Sequence, residues 1–260
     1  MKAKRQYNEM STDSAKRKTL ILKILMEDSH VSVSELSRLL DVTPVTARTD
    51  LAALEKEGLL IRTHGGAIPA HHPKLFERMQ SGKQFKEKIA RQAADMIEEG
   101  DTVMITAGTT TALIAKYLLG KRDIHIVTNN TLLLTYARTN PHVHLTLIGG
   151  EFRPSEEGMV GPMALATLDQ FHVSKAFIGI DGASAKQGFT AYYLESAELV
   201  RKMAEQADQV IAIGHSSKFG KHGFARILPF GGVDTLITDN QLTNNFESEL
   251  TSAGVRVVKA

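Results

Sequence analysis

Leu20, Ile21, Ile24 and Leu25 recur at helical spacing between Lys16 and Met26, with most charged positions on the opposite side, so the first element is an amphipathic helix. Val31-Ser32-Val33 follows as a short extended piece. Ser34 is the expected N-cap of a brief helix from Glu35 to Leu40, whose Leu36, Leu39 and Leu40 point inward. Asp41-Val42 makes a turn, and Thr43-Pro44 starts a third helix: a capping hydroxyl, then a proline whose missing N–H costs nothing at the first helical position. That helix runs to Glu57 and stops at Gly58. Its Ala47, Leu51 and Leu54 form a buried stripe at i, i+4, i+7, which leaves Val45, Thr46, Arg48 and Thr49 outside. Leu59 to Arg62 and Ala67 to Ile68 then flank Thr63-His64-Gly65-Gly66, a tight glycine hairpin. The pattern predicts three helices and a wing.

From Pro69 to Lys83 the periodicity is lost, and this stretch reads as a linker. Beyond it a helix from Phe85 to Glu98 precedes strands that alternate with helices: strands at Thr102 to Thr106, Ile124 to Thr128, His144 to Ile148, Lys175 to Ile180, Gln209 to Ile213, Thr235 to Thr238 and Val255 to Val258; helices at Thr110 to Leu119, Thr131 to Arg138, Met163 to Gln170, Leu194 to Glu205 and Asn244 to Ser252. Alternation of this kind predicts an α/β domain with a largely parallel sheet covered on both faces. The expected organisation is a winged helix-turn-helix over 14–68, a linker over 69–83 and an α/β effector and oligomerisation domain over 84–260.

Composition narrows the function. With 42% hydrophobic and 23% charged residues the chain is neither disordered nor fibrous. Its apolar runs, such as Leu20 to Leu25, fall far short of the ~20 residues a membrane span needs, and its basic start lacks the apolar core of a secretory signal, so a cytoplasmic location is expected. The absence of cysteine excludes disulfides, thiol nucleophiles and cysteine-bearing zinc sites. The ten histidines, among them His71, His72, His142 and His144, offer no third metal ligand at a recognisable spacing, so neither metal nor cofactor is expected. The net charge of +2 advertises no polyanion partner, but the first 23 residues hold seven basic against two acidic side chains.

A short helix, a tight turn and a Pro-started second helix form the helix-turn-helix arrangement, whose second helix enters the major groove of duplex DNA. Its outer side offers Thr43, Val45, Thr46, Arg48 and Thr49: hydroxyls, an apolar contact for a thymine methyl, and one arginine for a bidentate bond to guanine. Lys16, Arg17, Lys18 and Lys23 are expected to neutralise phosphates, and the His64-Gly65-Gly66 wing to follow the adjacent backbone or minor groove. Asp50, acidic on the same helix, is expected to pair internally with an arginine or lysine. The competing reading is a dimerisation or protein-interaction module.

In open parallel sheets ligands bind beyond the carboxyl ends of the strands. There the sequence places Gly108, Thr109, Thr110 and Thr111; Thr128, Asn129 and Asn130; Gly149 and Gly150; Asp181 and Gly182; and His215-Ser216-Ser217-Lys218. A helix start with free N–H groups and hydroxyls suits a phosphate, Lys218 supplies an ammonium, and the asparagines and Asp181 can bond sugar hydroxyls. Each piece alone is equally a helix cap or a tight turn.

The run Val31 to Leu51 ending Arg48-Thr49-Asp50-Leu51, then Leu54-Glu55, Gly58 and Arg62-Thr63-His64-Gly65-Gly66-Ala67, resembles the DeoR-type bacterial transcriptional repressors. Gly108-Thr109-Thr110, Thr128-Asn129-Asn130, Gly149-Gly150 and Ser216-Ser217-Lys218-Phe219-Gly220 extend the resemblance over nearly the whole chain. It implies operator binding modulated by a sugar phosphate in the C-terminal domain, and it alone places Arg153 and Glu198 near that site. The chain departs from the family in having Arg48-Thr49 where paired arginines are usual, and Thr106 and His215 where aspartates are usual. The C-terminal domain also looks like the sugar phosphate isomerase fold, which raises the alternative of an isomerase using Asp181 or Glu198 as base. Loss of both aspartates argues against proton-transfer chemistry. The expected function is a repressor of a carbohydrate operon that is not an enzyme, a homo-oligomer binding two half-sites.

Overall fold

The computed structural model describes residues 14–260, which divide after Glu77 into two compact units. The N-terminal unit contains helices α1 (Ser14–Asp28), α2 (Val33–Leu40) and α3 (Pro44–Lys56) and strands β1 (Val31–Ser32), β2 (Leu60–Thr63) and β3 (Gly66–Pro69), joined as one antiparallel sheet in the order β1-β3-β2. Its core holds Leu20, Ile21, Leu25, Leu36, Leu40, Ala47, Leu51 and Leu54, closed by Leu60 of the wing, but Leu39, expected to point inward, is 41% exposed because the short helix buries the side that Leu36 and Leu40 share at i, i+4. Helix α2 starts earlier than expected. Ser32, not Ser34, is its N-cap, in a capping box in which Ser32 Oγ accepts from the Glu35 amide at 3.2 Å and Glu35 accepts from the Ser32 amide at 3.0 Å.

The stretch expected to be an irregular linker contains a further helix, α4 (Pro73–Gln80), with Leu75 and Phe76 buried. It has only two turns, too few for a helical period to show among Pro69, His71, His72 and Pro73.

The unit from Arg78 onward opens with α5 (Lys83–Asp95) and is built on a seven-stranded sheet in which every pairing is parallel. The strands are β4 (Thr102–Ile105), β5 (Ile124–Thr128), β6 (Val143–Leu147), β9 (Val173–Gly179), β12 (Ala207–Ile213), β14 (Thr235–Thr238) and β15 (Arg256–Lys259), in the order β15-β14-β12-β9-β4-β5-β6. The period of two sorts the side chains. Val103, Ile105, Phe177, Ile211, Ile213 and Ile237 pack against α5 and α6 (Leu133–Ala137), while Met104, Ala176, Ile178, Val210, Ala212 and Leu236 pack against α7 (Pro162–Leu168) and α8 (Leu194–Glu205). Both faces are therefore covered, as expected. Helix α9 (Asn244–Ser252) precedes β15.

Five short strands escaped the sequence reading: β7 (Glu151–Arg153), β8 (Gly158–Val160), β10 (Gly182–Ser184), β11 (Gly188–Ala191) and β13 (Ala225–Arg226). None exceeds four residues, so none shows a period. The expected helix over Thr110 to Leu119 is a 3-10 helix, Thr111–Tyr117. Among the described residues no helix is long and apolar enough to cross a membrane, and no cluster of His, Asp and Glu suits a metal ion.

The chain order reverses between β4 and β9. From β4 it proceeds outward to β5 and β6, then returns to β9 and proceeds the other way. Loops leaving the carboxyl ends of these two strands therefore diverge and open a crevice.

Candidate functional site

In the N-terminal unit, Thr43 Oγ1 accepts from the Thr46 amide at 3.2 Å and caps α3, with Pro44 in the first turn. Val45, Arg48 and Thr49 are exposed, Thr46 is half-buried, and Ala47, Asp50, Leu51 and Leu54 face the core. Val45 is 70% exposed, an apolar group held in water at the end of the helix that a groove would receive.

The structure corrects two of the expected DNA contacts. Arg17 does not reach for phosphate: its Nε donates to Asp50 Oδ2 at 2.7 Å and its Nη2 to Asp50 Oδ1 at 3.1 Å, the internal pair foreseen for Asp50. Gly66 is buried, and a Cβ there would lie 2.3 Å from Val31 O, so this glycine serves the β1–β3 pairing and not the approach of a duplex. His64 and Gly65 remain exposed at the tip of the wing, which Glu55 holds by accepting from Arg62 Nε at 2.7 Å. Lys16 is exposed, and Lys18 pairs with Glu57 at 2.8 Å on the surface. Lys2, Lys4 and Arg5 lie outside the described residues.

In the other unit, the polar residues beyond the strands divide into scaffold and lining. Thr111 Oγ1 donates to Thr106 O at 2.7 Å, Thr128 Oγ1 to Ile105 O at 2.5 Å, and Asn130 Nδ2 to Thr106 O at 3.2 Å and Gly108 O at 3.1 Å. Asn129 Oδ1 accepts from the Ala107 amide at 2.7 Å. These buried groups shape the loop after β4 and have little capacity left for a ligand. Gly150 and Gly182 are also spatial requirements, since Cβ atoms there would lie 2.6 Å from Val160 O and 2.7 Å from Lys221 O. Gly108 is buried in the same loop and Gly149 is exposed; Thr109 and Thr110 stay half-buried at its edge. Thr106, where an aspartate was usual by resemblance, accepts from the Gly179 amide at 2.9 Å and pins β4 to β9.

Beside that loop a charged cluster assembles. Asp181 Oδ1 lies 3.5 Å from Arg78 Nη2 and 4.0 Å from Lys218 Nζ, while its Oδ2 accepts from the Tyr192 amide at 3.1 Å. Glu156 lies 4.0 Å from Arg78 Nη1 and accepts from Ser196 Oγ. Burial pushes the Glu156 carboxyl up. Lys86 Nζ donates to Arg78 O and, at 3.0 Å, to Thr109 Oγ1. Burial lowers the Lys218 amine and, with the neighbouring charges of Lys218 and Arg78, pushes the Lys86 amine down to about 7. His215, also buried, bonds Ser217 Oγ through Nδ1 at 2.8 Å and is pushed down to about 4. Three basic side chains thus face two carboxylates, an arrangement with spare positive charge for an anion.

Arg153 is at the rim, stacked over the Tyr193 ring at 4.5 Å and 3.3 Å from Glu195. Glu198 is elsewhere: it lines a groove between α7 and α8 with Asp169, Arg201, Lys202 and Glu205. Sequence reasoning missed Arg78, Lys86 and Glu156. A signal existed for one of them, because Lys86 falls on the apolar stripe of α5 with Ile89, Ala90 and Ala93.

A family model described as the DeoR-like helix-turn-helix domain matches residues 17–72, and one described as the DeoR C terminal sensor domain matches residues 82–240. The chain belongs to the DeoR family. Among its relatives are the HTH-type transcriptional repressor GlcR of Bacillus subtilis, 34% identical over 93% of this chain and 95% of that protein, and a putative aga operon transcriptional repressor of Escherichia coli O157:H7, 29% identical over 95% and 94%. The glycerol-3-phosphate regulon repressor of Escherichia coli K12 is 29% identical over 84% of this chain and 88% of its own. With relatives of this kind over most of its length, this DeoR-family chain is a DNA-binding transcriptional regulator and not an enzyme. Solved structures similar to it include a ribose 5-phosphate isomerase from Methanocaldococcus jannaschii, at 16% identity over 54% of this chain and 55% of that one with a TM-score of 0.39.

Proposed function

We propose that this regulator represses a carbohydrate-utilisation operon in the cytoplasm, that it binds its operator as a homo-oligomer through the exposed face of α3 and the tip of the wing, and that a phosphorylated sugar at the strand ends modulates that binding. The observation that carries the sensor half is the convergence of Arg78, Lys86 and Lys218, beside Asp181 and Glu156, on the crevice where strand order reverses. A phosphoryl group takes the spare positive charge, Thr109 and Thr110 flank it, and Asp181 is an acceptor for sugar hydroxyls. The names of the relatives, a glycerol-3-phosphate regulon repressor and an aga operon repressor, point the same way.

Modulation follows from linkage. A ligand that prefers one of two arrangements of the recognition helices shifts the protein toward it, and operator affinity changes by the same coupling free energy. The test is a thermal-shift screen of the full chain against triose, pentose and hexose phosphates beside their unphosphorylated sugars. A ligand at 100 times its Kd stabilises the folded state by ~2.7 kcal/mol. One phosphorylated sugar is expected to raise the transition and to change the affinity for operator DNA. Absence of any shift across the panel would refute the sensor assignment.

A further inference from the structure

Lys86 is 4% exposed, and its Nζ donates to two neutral oxygens, Arg78 O and Thr109 Oγ1. Facing it are Arg78 from α4, and His215 and Lys218 from the loop after β12. The carboxylates of the cluster are engaged elsewhere: Glu156 with Arg78, and Asp181 with Arg78 and Lys218. Among the described residues, Lys86 has no carboxylate within ion-pair distance. A buried ammonium without counter-charge is unstable, and either sheds its proton or acquires an anion. Thr109, to which it donates, belongs to the loop that flanks the crevice.

We infer that Lys86 receives the anionic group of the effector and takes up a proton from solvent as that anion arrives, so that effector binding by this sensor is coupled to pH. The inference rests on reading the strand ends as the sensor site, and adds to it the group that titrates. In the free protein, burial and the charges of Lys218 and Arg78 push Lys86 down to about 7. An anion lodged between Lys86 and Lys218 reverses the balance, because an opposite charge at close range favours the protonated amine. The proton binds the amine lone pair and no other bond changes. Affinity is then greatest below pH 7 and falls as pH rises through the free value. His215, down to about 4, is neutral throughout this window. Glu156, raised by burial, and Lys218, lowered by burial, are the other groups to be separated.

Sulfate is the probe, since its charge is constant in this range. Calorimetric titration of the full chain is expected to give an affinity about tenfold weaker at pH 8 than at pH 6, with a binding heat near pH 7.5 that varies with the buffer's ionisation enthalpy because a proton is taken up. Lys86→Arg, permanently charged, abolishes both effects; Lys86→Met, a second and neutral variant, weakens binding at pH 6 and flattens the profile. Glu156→Gln leaves the pH dependence in place. Sulfate affinity independent of pH in the wild type, a pH profile unchanged in Lys86→Arg, loss of the profile in Glu156→Gln, or no sulfate binding at all would each overturn the inference. The two readings separate cleanly. Sulfate binding with Lys86-dependent proton uptake, but no response to any sugar phosphate, removes the proposed effector alone; sugar phosphate binding without proton uptake removes this inference alone.

Discussion

Arg17 grips Asp50 with two bonds, at 2.7 and 3.1 Å, and so ties α1 to the inner side of the recognition helix. Both side chains are largely buried, at 12% and 4% exposure, so the pair orients α3 while leaving Arg48 and Thr49 free to face outward. Removing Arg17 leaves the buried Asp50 carboxylate without the guanidinium that pairs it. Arg17→Met is expected to lower the stability of the N-terminal unit by about 3 kcal/mol, and Arg17→Met with Asp50→Leu to recover most of it. Urea denaturation followed by far-UV circular dichroism measures this; an unchanged midpoint for Arg17→Met would show the pair to be incidental.

Arg48 is the one arginine on the exposed face of α3. Arg48→Ala is expected to cost about 1–3 kcal/mol of operator affinity and to relax preference at one base pair, whereas Lys16→Ala weakens binding to all sequences and lowers the salt slope by about one. Binding isotherms at several salt concentrations distinguish the two. Equal loss on specific and random DNA for Arg48→Ala would remove it from base readout.

Gly66→Ala places a methyl 2.3 Å from Val31 O, a collision with backbone that no rotamer relieves. The wing is expected to unpair from β1, with loss of about 2 kcal/mol or more and of operator binding. Sulfate affinity in the other unit serves as the control; intact DNA binding would mean that the wing is dispensable.

Burial pushes His215 down to about 4, with Lys218 and Lys86 adding to the shift, from 6.5 for a free imidazole. Between these values the unfolded chain binds more protons than the folded one. The stability owed to neutral His215 is therefore complete above about pH 6.5 and is lost as pH falls toward 4. His215→Asn is expected to flatten the fall in melting temperature across that window, and an identical slope in the variant would contradict the assignment.

Lys218→Ala is expected to weaken phosphorylated-ligand binding tenfold or more by removing one of three cations from the crevice. Glu198→Ala is expected to leave it unchanged, because Glu198 lines the groove between α7 and α8. A reversal of these effects would restore the sequence-based placement of Glu198.

Local rules made much of the molecule readable. Thr43 and Pro44 specify the start of α3 by themselves, and Ala47, Leu51 and Leu54 specify its buried side, because a cap and a stripe involve residues within a few positions of one another. The helix Leu194–Glu205 and the strand Ile124–Thr128 were legible to the residue for the same reason.

Short-range patterns along the chain therefore specify the elements, the alternation that buries the sheet on both sides, and the polar residues that follow each strand. Contacts between distant segments set what those residues do. Thr111, Thr128 and Asn130 spend their hydrogen bonds on the loop's own carbonyls, and Arg17 spends its charge on Asp50, 33 positions away. Arg78 and Lys86 on two helices meet Glu156 and Lys218 on two loops only because the tertiary fold sets these distant segments side by side. A side chain's chemistry is fixed by its type, but its remaining capacity for a ligand depends on which partners it has already satisfied, and those partners are set by packing across the chain.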